Sequence, residues 1–134
     1  MKYLLDTHSF IWAVTSDYKK LSEKALKVVQ DSENEIFVSV ITFWEMSIKK
    51  SIGKIDLGKA VVEDFIEHAN RNQFTIASLS PLSAATNYQL PWRKSHRDPF
   101  DRLLVWKAIK NDFCLISKDS DFNLYSDLGL KLIW

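Results

Sequence analysis

At 134 residues, with 46% hydrophobic and 26% charged side chains, the chain can fill the core of one domain and is too apolar for a disordered tail. A formal net charge of +1 excludes a global field that would draw it to nucleic acid or to a membrane surface, so any such contact must rest on a local patch. The one cysteine, Cys114, excludes an internal disulfide. No apolar run approaches the roughly 20 residues of a membrane helix, and the chain opens straight into a strand without a leader, so a soluble cytoplasmic protein with no membrane partner is expected.

Tyr3–Leu5 reads as a short buried strand, placed mid-sheet because it comes first, and it ends in Asp6. Asp6-Thr7-His8-Ser9 turns into a short helix carrying Phe10, Ile11, Trp12 and Val14, for which Asp6 is a ready N-cap. Residues 16–20 read as a loop. Leu21–Gln30 reads as a helix capped by Ser22, and Ile36–Val38 as the second strand. The next helix starts at Ser39 or at Thr42 and ends near Gly53, and the two starts differ in what they make of Glu45. From Thr42, the spacing Thr-Phe-Trp-Glu is a capping box. From Ser39, Glu45 lies in the second turn, beyond capping range, and faces the strand ends with no structural duty.

Lys59–Asn70 is amphipathic, Phe74–Ala77 is a third strand, and Ser80-Pro81 opens a helix running to about Tyr88. Residues 90–96 are irregular, and Arg93, Lys94, His96 and Arg97 cluster there. In the stretch Arg97–Leu104, Asp98 reads as the N-cap, Pro99 as N1 and Asp101 as N3 of a helix to about Lys110. Taken alone, these are two acids capping one helix. Phe113–Ile116 is a fourth strand followed by Ser117-Lys118-Asp119-Ser120-Asp121. Phe122–Ser126 reads as a helical turn and Leu130–Ile133 as a last strand.

Strands alternating with helices imply right-handed crossovers and a parallel sheet covered on both faces, with ligands beyond the carboxyl ends of the strands. Asp6 and Asp119 follow strands directly. Glu45 and Asp101 lie near the starts of helices whose N-termini point to the same edge, with Asp98 and Asp121 beside them. Four converging carboxylates repel one another unless some are protonated or a cation is present. Oxygen ligands without His or Cys suit hard ions, Mg²⁺ or Mn²⁺. One or two such ions, about 3.5–4 Å apart when paired, activate a water and stabilise the leaving oxygen of a phosphodiester. The reaction class is metal-dependent hydrolysis of a phosphate ester.

Four pieces carry a family resemblance: Leu4-Leu5-Asp6-Thr7-His8, Val40-Ile41-Thr42-Phe43-Trp44-Glu45, His96-Arg97-Asp98-Pro99-Phe100-Asp101-Arg102-Leu103-Leu104, and Leu115-Ile116-Ser117-Lys118-Asp119-Ser120-Asp121-Phe122. In this order they resemble the PIN-domain ribonucleases and, within them, the VapC-like toxins of type II toxin–antitoxin pairs. The resemblance implies a three-layer α/β/α fold with a central parallel sheet of four to five strands, formed by residues 1–134 as a single PIN domain. It implies a metal-dependent endoribonuclease whose catalytic and metal-binding acids are Asp6, Glu45, Asp101 and Asp119. Two acids compete for the third place. The apolar run after Asp101 matches the family's helix in register, which leaves Asp98 as an N-cap or outer ligand. Trp106 and Lys107 stand where the family often has an alanine pair. Asp121 is an optional neighbour, and Thr7 would hydrogen-bond a metal-held water. Arg97 and Arg102, with Arg93, Lys94, Lys49 and Lys50, would line an RNA path.

The resemblance also implies a homodimer and a groove for an antitoxin protein, surfaces that Trp12 and Trp92 are placed to serve. A dehalogenase-like phosphatase needs a second acid where His8 stands, and a receiver domain needs a phospho-acceptor Asp where Ala77-Ser78 stand. The alternative that remains is a catalytically inactive PIN-like module that binds RNA or protein.

Overall fold

Leu4 and Leu5 point to opposite faces of their strand, and both are fully buried, so the first strand has a hydrophobic layer on each side. In the computed structural model, which describes residues 1–93 and 95–134, this strand is the centre of the sheet. Among the described residues the strands are β1 (Lys2–Leu5), β2 (Glu35–Ser39), β3 (Thr75–Ala77), β4 (Cys114–Ile116) and β5 (Lys131–Ile133), paired in the order β3-β2-β1-β4-β5 and all parallel. Leu4 and Leu115 join Leu104, Val105, Phe122 and Tyr125 on one face. Leu5, Val38 and Ile116 join Phe10, Met46 and Phe65 on the other. The result is the expected three-layer α/β/α arrangement. Lys94 lies outside the described residues.

The helices are α1 (Thr7–Val14), α2 (Glu23–Gln30), α3 (Val40–Ser51), α4 (Asp64–Arg71), α5 (Pro81–Thr86) and α6 (Pro99–Asn111). Each start carries the chemistry expected of it, except that of α4. Asp6, Ser22, Ser39, Ser80 and Asp98 accept hydrogen bonds from the N–H groups of the first turns of α1, α2, α3, α5 and α6. Ser39, not Thr42, caps α3.

Three segments depart from expectation. Residues 16–20 form a 3-10 helix rather than a loop, capped by Thr15. The amphipathic stretch from Lys59 becomes helical only at Asp64, because Gly58 turns at φ +63° and the Asp64 carboxylate accepts from the Val61 N–H at 2.9 Å. The helical turn at Phe122 is a longer 3-10 helix, Ser120–Leu128, closed by Gly129 at φ +93°.

β2 and β3 lie to one side of β1, β4 and β5 to the other. The chain's winding direction therefore reverses between β1 and β4, and the crevice beyond their carboxyl ends is where such sheets hold ligands. Asp6 follows β1 and Asp119 follows β4 by three residues.

Candidate active site

Leu5 pairs with Ile116, so Asp6 continues beside Ser117 and its N–H donates to the Ile116 carbonyl at 3.2 Å. One Asp6 oxygen accepts from the Ser9 N–H at 2.8 Å, and the other accepts from the Ser117 hydroxyl. Asp6 is thus a helix cap and a buried carboxylate at once. Burial pushes its carboxyl above the ordinary range, opposed by the Ser117 and Ser9 hydrogen bonds and by His8.

Because α3 starts at Ser39, Glu45 falls in its second turn, 4% exposed. Oε1 accepts from the Thr7 hydroxyl at 2.7 Å, and Oε2 is paired with Lys49 one turn on. Burial pulls the Lys49 ammonium down, but its bond to Glu45 and the charges of Asp98 and Asp101 outweigh that and raise it.

Asp98 caps α6, accepting from the N–H groups of Phe100 at 2.9 Å and Asp101 at 3.0 Å. Asp101 lies in the first turn of α6, where its carboxyl is pushed up to about 8. Burial is the largest cause, followed by the charges of Asp98, Glu45, Asp6 and Asp119. Acids from three distant segments, and Asp98 beside it, act on one carboxyl group. Asp119 is exposed and caps the 3-10 helix through the Asp121 N–H at 2.9 Å.

A cleft of about 140 Å³ is lined by Asp6, Thr7, His8, Glu45, Lys49, Asp98, Asp101, Asp119 and Phe122. It brings together the four acids expected to be catalytic, with Thr7 and Asp98. Asp121 is exposed outside the lining, and its charge acts on His96. Arg97 is exposed and also outside it.

Arg102 does not face an RNA path. It is 3% exposed, and its guanidinium donates to the Leu90 carbonyl at 2.7 Å and the Pro91 carbonyl at 3.1 Å, 3.8 Å from the centre of the Trp92 ring. A buried cation with fixed partners holds the loop before α6. Arg102→Met is expected to lower stability by about 1–3 kcal/mol in urea denaturation, from the carbonyls left unpartnered. Arg93 pairs with Asp127 at 3.0 Å.

Ser117, His96 and Tyr125 complete the site; of the three the sequence offers only His96, as a phosphate or structural partner. Ser117 is found by register: once β1 and β4 are neighbours, the residue beside Asp6 must suit a buried carboxylate. His96 is 3% exposed, with Nδ1 2.8 Å from the Tyr125 hydroxyl and Nε2 3.5 Å from Asp101 Oδ2. Burial holds His96 below its ordinary value, against the pull of Asp119, Asp121 and Asp98, so it is neutral at pH 7. Arg102 Nη1, a permanent donor, stands 3.5 Å from the Tyr125 oxygen. That directs the hydroxyl proton to Nδ1 and leaves Nε2–H facing Asp101.

Among the described residues, no three Asp, Glu, His or Cys side chains stand close enough to share one ion. Each carboxylate is tied to its own partner: Asp6 to Ser117, Glu45 to Thr7 and Lys49, Asp98 to its helix. The carboxylates of the cleft, and the charge that loads Asp101, fit a hard divalent ion that keeps several waters and takes one or two carboxylates directly.

The family model described as PIN domain matches residues 3–128. No curated protein matches the chain. Among solved structures, VapBC2 from Rickettsia felis bound to a DNA fragment from their promoter is similar over 99% of this chain and 98% of that one, at 18% identity and a TM-score of 0.61. A PilT N-terminus domain protein from the archaeon Sulfolobus solfataricus P2 is similar over 99% and 86%, at 15% identity and a TM-score of 0.58. A domain of a functionally unknown protein from Methanocaldococcus jannaschii is similar over 99% and 89%, at 16% identity and a TM-score of 0.58. At these identities the likeness is one of fold.

Proposed function

The chain belongs to the PIN domain family, and from that membership we propose that it is a Mg²⁺- or Mn²⁺-dependent endoribonuclease, the VapC-like toxin of a toxin–antitoxin pair. The observation that carries the reading is the convergence of Asp6, Glu45, Asp101 and Asp119 on one cleft at the switch point of a parallel sheet. A bound Mg²⁺ or Mn²⁺ supplies a water nucleophile at neutral pH and offsets the charge of the phosphodiester. Asp6, Glu45, Asp101 and Asp119 would hold it, directly or through water.

The chain's own residues do the rest. Ser117 and the Ser9 N–H hold the Asp6 carboxylate in place. Thr7 orients Glu45. Lys49, standing among Glu45, Asp98 and Asp101, lowers the repulsion that a phosphate meets on entering.

An antitoxin partner is supported by the fold shared with one chain of the VapBC2 assembly. A homodimer in the cytoplasm goes with the same reading. Among the described residues no helix is long and apolar enough to cross a membrane.

The test is cleavage of unstructured and hairpin RNA by purified protein with Mg²⁺ or Mn²⁺, with and without chelator. Cutting that appears with metal and stops with chelator is the expected result. Folded protein that binds RNA with metal present but never cuts it would move the chain to the binding-module alternative.

A further inference from the structure

A second cavity, about 330 Å³, shares Asp6, His8 and Asp119 with the carboxylate cleft and is completed by Trp12 and Lys118. Its aromatic wall follows from the helix. His8 and Trp12 are one turn apart on α1, so their rings meet on the same side, with centroids 5.8 Å apart. The sheet adds a third ring. β5 runs parallel to β4, so its carboxyl end lies at the same edge as Asp6 and Asp119, and Trp134 leaves it there with its ring 6.0 Å from Trp12. His8, Trp12 and Trp134 therefore form a row along the sheet edge, of which His8 and Trp12 line the cavity.

Core packing uses only part of this row. Trp12 and Trp134 are each half-buried, touching the layer of Leu5 and Phe10, while His8 is exposed. The cavity thus has an aromatic wall, two carboxylates at the end where it meets the acidic cleft, and a lysine on its lining. The ligand that matches all three is flat and apolar-faced and joined to an anion: the base of a nucleotide whose phosphodiester lies at the carboxylates. A purely apolar group would leave Lys118 without a role, and a lone phosphate would leave the rings without one.

Resting on the ribonuclease reading above, we infer that this cavity is a base-stacking subsite, in which an unpaired RNA base beside the scissile phosphodiester stacks on Trp12 while Lys118 meets the backbone. Ring stacking of this kind tolerates any base, since every base has a π-face, but it requires that the base be free of a duplex.

The test uses Glu45→Gln protein with Mg²⁺, because Glu45 lies outside this cavity and, on the ribonuclease reading, its loss is expected to slow turnover. Binding of a fluorescein-labelled hexaadenylate is compared by anisotropy with that of an abasic ribose-phosphate strand of the same length. The expected result is that the base-bearing strand binds about tenfold tighter or more. Trp12→Leu removes that difference without weakening the abasic strand, and Trp12→Phe, which keeps a ring, retains most of it; circular dichroism verifies the fold of each variant. Equal binding of the two strands, an equal loss for both in Trp12→Leu, or no binding of either would overturn the subsite and leave the cavity to a protein side chain. Wild-type cleavage, run in parallel, separates the two ideas. Base-dependent binding without metal-dependent cutting sinks the ribonuclease reading alone, and cutting with base-independent binding sinks the subsite alone.

Discussion

Asp101→Asn is expected to lower metal-dependent cleavage by about a thousandfold, a loss of about 4 kcal/mol of transition-state stabilisation, whereas Asp98→Asn is expected to stay within about tenfold of wild type. The two acids are three residues apart on one helix start, yet the structure gives them different work. Asp98 is an exposed N-cap whose carboxylate is engaged by the N–H groups of Phe100 and Asp101. Asparagine caps a helix about as well, so the fold survives the change. Asp101 is the carboxyl on which Asp98, Glu45, Asp6 and Asp119 all press. A group in that position has one strong reason to ionise, which is a nearby cation, and an amide there cannot ionise. Initial rates on one RNA at saturating Mg²⁺, with the fold of each variant verified by circular dichroism, decide between them. The reverse pattern, with Asp98→Asn dead and Asp101→Asn active, would make Asp98 the third ligand and Asp101 its neutral neighbour.

Why the sequence distinguishes some of these roles and not others is a matter of range. Asp6 and Asp119 are legible because each follows an apolar run short enough to be a buried strand, and the switch-point rule needs only that pattern. Glu45 and Asp101 come in by the same rule, near the starts of helices that point to that edge, though each also has a local reading as a helix-capping acid, and the family resemblance favours Asp101 over Asp98. Ser39 and Thr42 are equal as local caps. What separates them is long-range: Ser39 still pairs with Ala77 at the end of β2, so the helix begins immediately after it and Glu45 is carried past capping reach. Arg102 is misjudged for a related reason. A cation one residue after an acid looks solvent-facing or substrate-facing, and nothing local announces that the carbonyls of Leu90 and Pro91 and the hydroxyl of Tyr125 will converge on it. Ser117 is hidden until the register of β1 against β4 is known. The late start of α4 turns on one φ of +63° at Gly58 and one side-chain bond from the Val61 N–H to Asp64, features that hydrophobic periodicity does not register.

The charge balance of the cleft also fixes how stability responds to pH and to metal. With its carboxyl pushed up to about 8 from an unfolded value of 3.8, Asp101 holds a proton in the folded state that the unfolded chain has released. Folded protein therefore binds more protons across that interval, and stability falls as pH rises through it, by up to about 1.4 kcal/mol per pH unit. Asp6, also raised, acts in the same direction. His96 acts in the other: its folded value is lowered by burial, so its contribution is present above 6.5 and lost as pH falls. Between pH 6.5 and 8 folded His96 is neutral and the unfolded one gives up only about half a proton, so the larger and opposite change at Asp101 sets the slope. Chelated wild-type protein should lose several degrees of melting temperature across that window, and Asp101→Asn should lose distinctly less. A divalent ion that binds the ionised carboxyl displaces its proton, so the thermal shift produced by Mn²⁺ should grow from pH 6.5 to 8 in wild type and nearly vanish in Asp101→Asn. Thermal melts at three pH values, with chelator and with Mn²⁺, read both slopes. A chelated wild type that gains stability towards pH 8, or a Mn²⁺ shift that persists undiminished in Asp101→Asn, would remove Asp101 from the centre of the site and return it to the role of an acid at a helix start.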